Sequence, residues 1–579
     1  LNEQEEYQKW LSQPGLPKDL HEELESIKGD KEAIEARFGG SLEFGTAGLR
    51  AVMGAGPNRL NIYTVRKASW AFAKYLLEHE PNAAERGVAI GYDCRHMSYE
   101  FARETGLTMA AMGIRAYVSP YLCPTPEVSF AIRHLQTAGG VTITASHNPP
   151  EYNGYKAYGP DGCQLLPDAT EKIRAIAAEN QDVFHIPTLP LDEATRRGLF
   201  QWTSPEVRGA YLESVVREVK FPSLTAEQRL ALSIVYTPLH GSGNIPVRNA
   251  LQAAGYGQVH VVQEQAEPNG DFPTVKSPNP EEPEALELGI RVAREIQADL
   301  VLGTDPDADR VGIAVRDENG SYTLLTGNQV GALLADFILS RRKAEGRLPK
   351  NGIVFKTVVT SELGQAVADA YGIALENTLT GFKYIGSGIT ESERTGKHTF
   401  LLGYEESYGY LVSPIVRDKD AVQTCLAIAE MAAFHKSQGR TLHDALDDLF
   451  KRFGFYKEEL VSVKITGEDA SERREAILDD LRKNTPIVEN LRLVAIEDYS
   501  AQRRVKVGGD GKPLGEAEPL HLPKSDVLKY WYEGGSWMAI RPSGTEPKVK
   551  AYLAARGKDK QECEEKIRRM RAVIEKRVT

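Results

Sequence analysis

A chain of 579 residues, 41% hydrophobic and 26% charged, is long enough for several buried cores and has the composition of a globular enzyme; at roughly 100 to 200 residues per domain it predicts three to five domains. A formal net charge of −11 without a long basic stripe excludes nucleic acid as a partner, and no uninterrupted apolar run approaches the ~18 residues that cross a bilayer. Five scattered cysteines, Cys94, Cys123, Cys163, Cys425 and Cys563, show no C-x-x-C spacing, which argues against a disulfide framework or a zinc site.

The polar start Leu1-Asn2-Glu3-Gln4-Glu5-Glu6 lacks the pattern of a secretory leader, so a cytoplasmic location is expected. Residues 1–40 are charged with a few apolar anchors (Trp10, Leu11, Leu20) and predict one or two helices. A helix over 65–78, a buried strand over 87–93, a helix over 100–112 stopped by Gly113 and a strand over 114–118 follow, which is the strand-helix-strand grammar of a mostly parallel sheet. The same grammar returns with a strand at 230–236, a helix at 246–254 stopped by Gly255, a strand at 259–262, a helix at 284–297 and a strand at 300–302. It returns again with a strand at 353–355, a helix at 361–371 stopped by Gly372 and a strand at 373–375. These spacings exceed the about 20 to 50 residues of a solenoid repeat, so three similar mixed α/β domains are predicted. Beyond Tyr456 a strand at 460–465, a charged helix at 472–482, the hairpin signal Glu533-Gly534-Gly535 and a final basic helix predict a C-terminal α+β domain. Linker composition sets the expected boundaries at 1–40, 41–205, 206–320, 321–455 and 456–579.

Four stretches carry chemistry. Gly140-Val141-Thr142-Ile143 reads as a strand that ends at Thr144-Ala145-Ser146-His147-Asn148-Pro149, placing Ser146 at a strand's carboxyl end, where open α/β sheets bind ligands. Taken alone, a Ser/Asn/Pro turn accounts for the hexapeptide equally well. Asp305-Pro306-Asp307-Ala308-Asp309-Arg310 follows an apolar strand. Alternation along an extended segment would send all three carboxylates to one side, where close negative charges require a cation such as Mg²⁺. A calcium EF-hand is excluded because its glycine position falls on Arg310 and its final glutamate on Arg316. Gly403-Tyr404-Glu405-Glu406-Ser407 offers acceptors, and Arg541-Pro542-Ser543-Gly544-Thr545-Glu546-Pro547-Lys548 gathers a guanidinium, two hydroxyls and loop amides suited to a phosphate.

In this order the four motifs resemble the α-D-phosphohexomutase superfamily, the phosphoglucomutases and phosphomannomutases. Phe44-Gly45-Thr46-Ala47-Gly48-Leu49-Arg50 and the long amino-terminal extension match the bacterial phosphoglucomutase and phosphopentomutase-like branch. The resemblance implies the predicted domains arranged around a central cleft. It implies a phosphoserine at Ser146 and a Mg²⁺ held by Asp305, Asp307, Asp309 and the Ser146 phosphoryl group. It assigns acid/base work to Lys156 in Asn153-Gly154-Tyr155-Lys156 and charge stabilisation to Arg50. His147 competes as base by proximity alone and is read as orienting the loop. Burial or neighbouring cations would lower the lysine toward neutrality.

Substrate contacts are expected from Glu405 and Ser407, from Lys383 in Thr380-Gly381-Phe382-Lys383, and from the phosphate loop Arg541, Ser543, Gly544, Thr545 and Lys548. Arg310, Arg417 and Lys419 are further candidates for the anion. The implied reaction interconverts glucose 1-phosphate and glucose 6-phosphate through glucose 1,6-bisphosphate, with small-molecule sugar phosphates as partners. Gly-Tyr-Glu-Glu-Ser departs from the Gly-Glu-Met-Ser-Gly-His of other branches, so phosphomannomutase, phosphopentomutase and glucose 1,6-bisphosphate synthase remain open. A sugar-phosphate-binding scaffold would need neither Ser146 nor the aspartates, and a metal-dependent phosphatase would release free phosphate.

Overall fold

The structure, a computed structural model, describes all residues except 1, 46–47, 181, 466–469, 510–511, 544–547 and 579. The chain folds into two compact units, Leu1–Gly327 with Phe382–Thr441, and Asn328–Gly381 with Leu442–Thr579. Among the described residues no helix is long and apolar enough to cross a membrane.

The first unit begins with three helices, Glu3–Leu11, Lys18–Ser26 and Lys31–Phe38, where the sequence predicted one or two. Each break has a local cause. Asn2 and Glu5 form a capping box on the first helix, Pro17 precedes the second, and Asp30 caps the third by accepting from the Ala33 amide. Their apolar sides, led by the fully buried Tyr7 and Trp10, close on Tyr63 and Phe184 of the following domain.

The first sheet contains β1 (Leu49–Val52), β2 (Val88–Tyr92), β3 (Ala116–Val118), β4 (Gly139–Ile143), β5 (Tyr152–Tyr158) and β6 (Phe200–Trp202), in the order β1-β5-β4-β2-β3-β6. β2, β3, β4 and β6 run parallel, and β5 returns antiparallel beside β4. Strands β2 and β4 are buried along their whole length, as parallel strands covered by helices must be. The second sheet contains β7 (Ser233–Thr237), β8 (Gln258–Val261), β9 (Leu300–Thr304), β10 (Val311–Arg316) and β11 (Tyr322–Leu325), in the order β11-β10-β9-β7-β8. Again the parallel strands β7, β8 and β9 are followed by an antiparallel return, β10 beside β9. Later in the same unit β14 (Thr399–Tyr404) turns back as the antiparallel β15 (Tyr410–Leu411); between β11 and β14 in sequence, in the second unit, lie β12 (Gly352–Thr357) and β13 (Ala374–Thr378). Three times, therefore, a strand ends in a polar loop whose chain returns beside it.

In the second unit β12 and β13 pair in parallel. Its other sheet is antiparallel throughout, with strands β16 (Phe455–Lys464), β17 (Leu493–Asp498), β18 (Arg503–Val507), β19 (Pro513–Pro519), β20 (Leu528–Tyr532), β21 (Trp537–Pro542) and β22 (Lys548–Gly557). The order is β16-β22-β21-β20-β17-β18-β19. The predicted hairpin at Glu533-Gly534-Gly535 joins β20 to β21, with Gly534 and Gly535 both at positive φ. Helices Ala470–Lys483 and Lys560–Val578 share one apolar core with this sheet.

Candidate active site

Each of the three return loops brings one predicted group, all in the first unit. Ser146 lies in the β4–β5 loop, almost fully buried and with a left-handed φ of 54°. That conformation is unusual for a residue with a Cβ and marks a loop held by its surroundings. The Ser146 amide donates to Thr144 Oγ1 at 2.8 Å. Its hydroxyl donates to Asp305 Oδ2 at 2.8 Å and lies 3.3 Å from His147 Nδ1.

Asp305, Asp307 and Asp309 occupy the β9–β10 loop. They do not form the extended segment that alternation predicted. The loop turns, with Ala308 at φ 51°, and the turn makes the carboxylates converge. One oxygen from each lies within 4.8 Å of the others, and all three side chains are buried. The turn is backed closely by Gly241, where any Cβ would stand 2.5 Å from Pro306 Cα, and Ser242 Oγ donates to the Pro306 carbonyl at 2.7 Å. Asp307 Oδ2 accepts from Thr125 Oγ1 and Lys156 Nζ, both at 2.8 Å, and Asp309 Oδ2 lies 2.8 Å from Lys419 Nζ. Asp307 Oδ1 and Asp309 Oδ1 are buried without a hydrogen-bond partner among the described residues. An all-oxygen set with two such orphaned acceptors is what a hard divalent cation needs.

The three carboxyl groups are faced by the cations Lys156, Lys419 and Arg310. Burial and then the charges of Asp309 and Asp307 push the Asp305 carboxyl well above the usual carboxylate range. For Asp307 burial also works upward, but the lysines prevail and hold it below that range. Asp309 is held lower too, against burial, by Lys419, Lys156 and Arg310. Burial works to lower the Lys156 ammonium, yet Asp307 and Asp309 outweigh it and the net shift is upward. The sequence expectation of a lysine lowered toward neutrality is thus reversed, because carboxylates rather than cations surround it. His147 behaves oppositely: burial, Arg310 and Arg50 push it well below its ordinary value.

Arg50 on β1 stands directly opposite Gly154 on β5, so it shares a sheet face with Lys156 two residues on. A Cβ at Gly154 would lie 2.5 Å from the Thr144 carbonyl oxygen, so no side chain fits there. Arg50 Nη1 donates to Asn148 Oδ1 at 3.2 Å. Arg310 pairs with Glu281, and its backbone bridges to Gly409 in the β14–β15 loop, which brings the loop of Glu405 and Ser407 beside the aspartates. Glu405 is buried and helps raise both Arg310 and Lys419. Lys383, at the start of helix Phe382–Thr395, is lowered to about 8 by burial. Arg417 is fully buried and bound to Thr390, the Pro414 and Val416 carbonyls and Glu393, so its guanidinium ties its own loop to the helix Phe382–Thr395. In the second unit Arg541 stacks on Tyr552 and donates to its hydroxyl at 3.2 Å, and the Ser543 amide donates to the Lys548 carbonyl. Gly544 and Thr545 lie outside the described residues.

Sequence reasoning missed Thr125 altogether and sent Lys419 to a phosphate. A threonine flanked by prolines at a helix start was the only signal for the former. For Lys419 the alternation of charge in Arg417-Asp418-Lys419-Asp420 gave no hint of which carboxylate it would meet.

Models of the phosphoglucomutase/phosphomannomutase α/β/α domains I, II and III and of the C-terminal domain match residues 41–183, 209–320, 326–453 and 485–570 in that order. The chain belongs to the phosphoglucomutase/phosphomannomutase family. Within the family, it is 37% identical to the phosphoglucomutase of Staphylococcus haemolyticus over 522 residues, 90% of this chain and 91% of that one. It is 38% identical to the phosphoglucomutase of Staphylococcus epidermidis over 515 residues, 89% of this chain and 90% of that one. Among solved structures, a putative phosphomannomutase from Thermus thermophilus shares the fold at a TM-score of 0.67 and 22% identity, over 93% of this chain and 99% of that one. The N-acetylphosphoglucosamine mutase of Aspergillus fumigatus, crystallised with GlcNAc-6P and magnesium, aligns at a TM-score of 0.51 and 14% identity, over 93% of this chain and 97% of that one. The chain is an enzyme of the phosphotransferase and isomerase kind that defines the family.

Proposed function

We propose that this enzyme interconverts glucose 1-phosphate and glucose 6-phosphate, with Ser146 as phosphoryl carrier and glucose 1,6-bisphosphate as intermediate. The observation that carries the reading is the Ser146 hydroxyl at 2.8 Å from Asp305 Oδ2, on the edge of a buried triple-aspartate cluster. The glucose preference rests on relatives named phosphoglucomutase at 34–38% identity. Asp305, Asp307 and Asp309 would hold Mg²⁺, which supplies Lewis-acid polarisation of the phosphoryl oxygens when bound.

The chain's own groups account for the rest. A sugar hydroxyl attacks phosphorus on Ser146; the new P–O bond forms as the bond to Ser146 Oγ breaks, and the hydroxyl proton must leave. His147, 3.3 Å from Ser146 Oγ, and Lys156, which donates to Asp307 Oδ2 at 2.8 Å, are the groups placed for that proton transfer. Arg50 and Arg310 supply fixed positive charge for the transferring oxygens. Glu405 and Ser407 accept from sugar hydroxyls, Lys383 donates to a sugar oxygen, and Arg541, Ser543 and Lys548 hold the distal phosphate.

The test is incubation with glucose 1,6-bisphosphate labelled in one phosphate, peptide mapping of the protein, and turnover with glucose, mannose and ribose 1-phosphates. Label on the Ser146 peptide and highest kcat/KM with glucose 1-phosphate are expected. Isomerisation without label, or stoichiometric free phosphate, overturns the carrier mechanism; preference for mannose or ribose overturns the sugar alone.

A further inference from the structure

The backbone of the Ser146 loop is gripped from behind by one guanidinium. Arg95, buried just beyond the end of β2, donates through Nη2 to the Ser146 carbonyl at 2.6 Å and to the Asn148 carbonyl. Through Nη1 it donates to the carbonyls of Pro149 at 2.9 Å and Tyr152 at 3.0 Å. The carbonyl of His147, between those of Ser146 and Asn148, accepts from Ser277 Oγ at 2.9 Å. Arg95 is itself fixed. Its amide donates to Asp93 Oδ1 at 2.9 Å, its Nε lies 3.4 Å from Asp93 Oδ2, and its guanidinium rests on the Phe272 ring at 5.0 Å.

Asp93 also reaches the serine by a second arm. Thr144 Oγ1 donates to Asp93 Oδ2 at 2.6 Å and accepts the Ser146 amide at 2.8 Å. One carboxylate thus fixes both the amide and, through Arg95, the carbonyl of Ser146. Those are the two peptide groups whose orientation sets a positive φ at that residue.

We propose that Asp93, Arg95 and Thr144 form a brace that positions Ser146, holding it in the left-handed conformation that aims its hydroxyl at the aspartate cluster. The brace holds the loop by its backbone amide and carbonyl groups. A planar fork with donors on both sides suits four diverging carbonyls, which a lysine's point charge cannot reproduce. Released from it, the loop relaxes toward ordinary backbone angles and the hydroxyl leaves its line of attack; misplacement of about 1 Å costs on the order of a hundredfold in rate.

This inference rests on Ser146 being the phosphoryl carrier, and the experiment separates the two. Wild type, Arg95→Lys, Thr144→Val and Thr144→Ser, each as the full chain, are compared for kcat, KM and the rate of label uptake from glucose 1,6-bisphosphate. If wild type takes no label at Ser146, the carrier reading fails and the brace fails with it. If wild type is labelled, Arg95→Lys and Thr144→Val are expected to lower kcat and label uptake together by about ten- to a hundredfold, with KM within about threefold. Thr144→Ser, which keeps the oxygen, should recover most of the loss. Wild-type label uptake in Arg95→Lys, or a KM rise that accounts for its defect, overturns the proposal. Should Arg95→Lys fail to fold, the Thr144 pair decides: equal kcat in the valine and serine variants overturns it.

Discussion

At the scale of single residues the site is a balance of charge among buried side chains. Removing the Ser146 hydroxyl takes away the carrier but only one of many contacts to a sugar phosphate. Ser146→Ala is expected to abolish turnover while equilibrium binding of glucose 1-phosphate changes by less than about tenfold, as isothermal titration would read. Residual turnover in protein free of wild-type enzyme would remove Ser146 from the chemistry. Asp307 carries two donors and one orphaned oxygen, so Asp307→Asn keeps the shape and loses a charged metal ligand. Its kcat should fall at ordinary Mg²⁺ and recover in part as Mg²⁺ rises, whereas wild type should lose activity to excess chelator. Unchanged wild-type activity in chelator would take the metal away from the triplet.

At the scale of elements, the helix Ala421–Ser437 shows how a cap doubles as a joint. Its N-cap Asp420 accepts from the Gln423 amide and side chain and from the Tyr211 hydroxyl, tying the helix to the helix Pro205–Val219. Complete burial pushes this carboxyl up to about 6, with those donors pulling it partway back. The fold therefore keeps a proton that the unfolded chain releases near pH 4, so the stabilisation is fully present below about pH 4 and is lost as pH rises through about 6. At neutral pH the loss is on the order of 3 kcal/mol. Asp420→Asn, which cannot ionise, should gain in Tm relative to wild type on going from pH 5 to pH 7.5. A difference that stays flat would show that the donors already hold the charged form.

Across the whole molecule, the three return loops explain why residues more than a hundred positions apart meet. Each time a strand is followed by an antiparallel partner beside it, and the first unit uses the loops between them for Ser146, for the aspartates and for Glu405. Arg541, in the second unit, is expected to serve the phosphate that is not reacting, and so both isomers alike. Arg541→Ala should raise KM for glucose 1-phosphate and glucose 6-phosphate by comparable factors of about ten to a hundred, the scale of one charged hydrogen bond, while Ser146 still takes label. A large defect for one isomer with normal kinetics for the other would confine Arg541 to a one-sided role.

The sequence by itself determined the strands that end in Ser146 and in Asp305, the glycine-stopped helices of a repeated α/β grammar, the change of grammar beyond Tyr456 and the family. These are local: period, stop signals and short motifs are written in neighbouring residues. What only the tertiary structure decided is which charges meet. Lys419 lies on Asp309, Arg417 ties its own loop to the helix Phe382–Thr395, and Thr125 orients Asp307. Lys156 is raised where burial alone would lower it, because two carboxylates arrive from a loop some 150 residues away. Even the convergence of the aspartates came from a turn rather than from strand alternation. A side chain's pKa and partner depend on the inverse distance to charges brought by other elements, and that distance is fixed only once the sheets are packed.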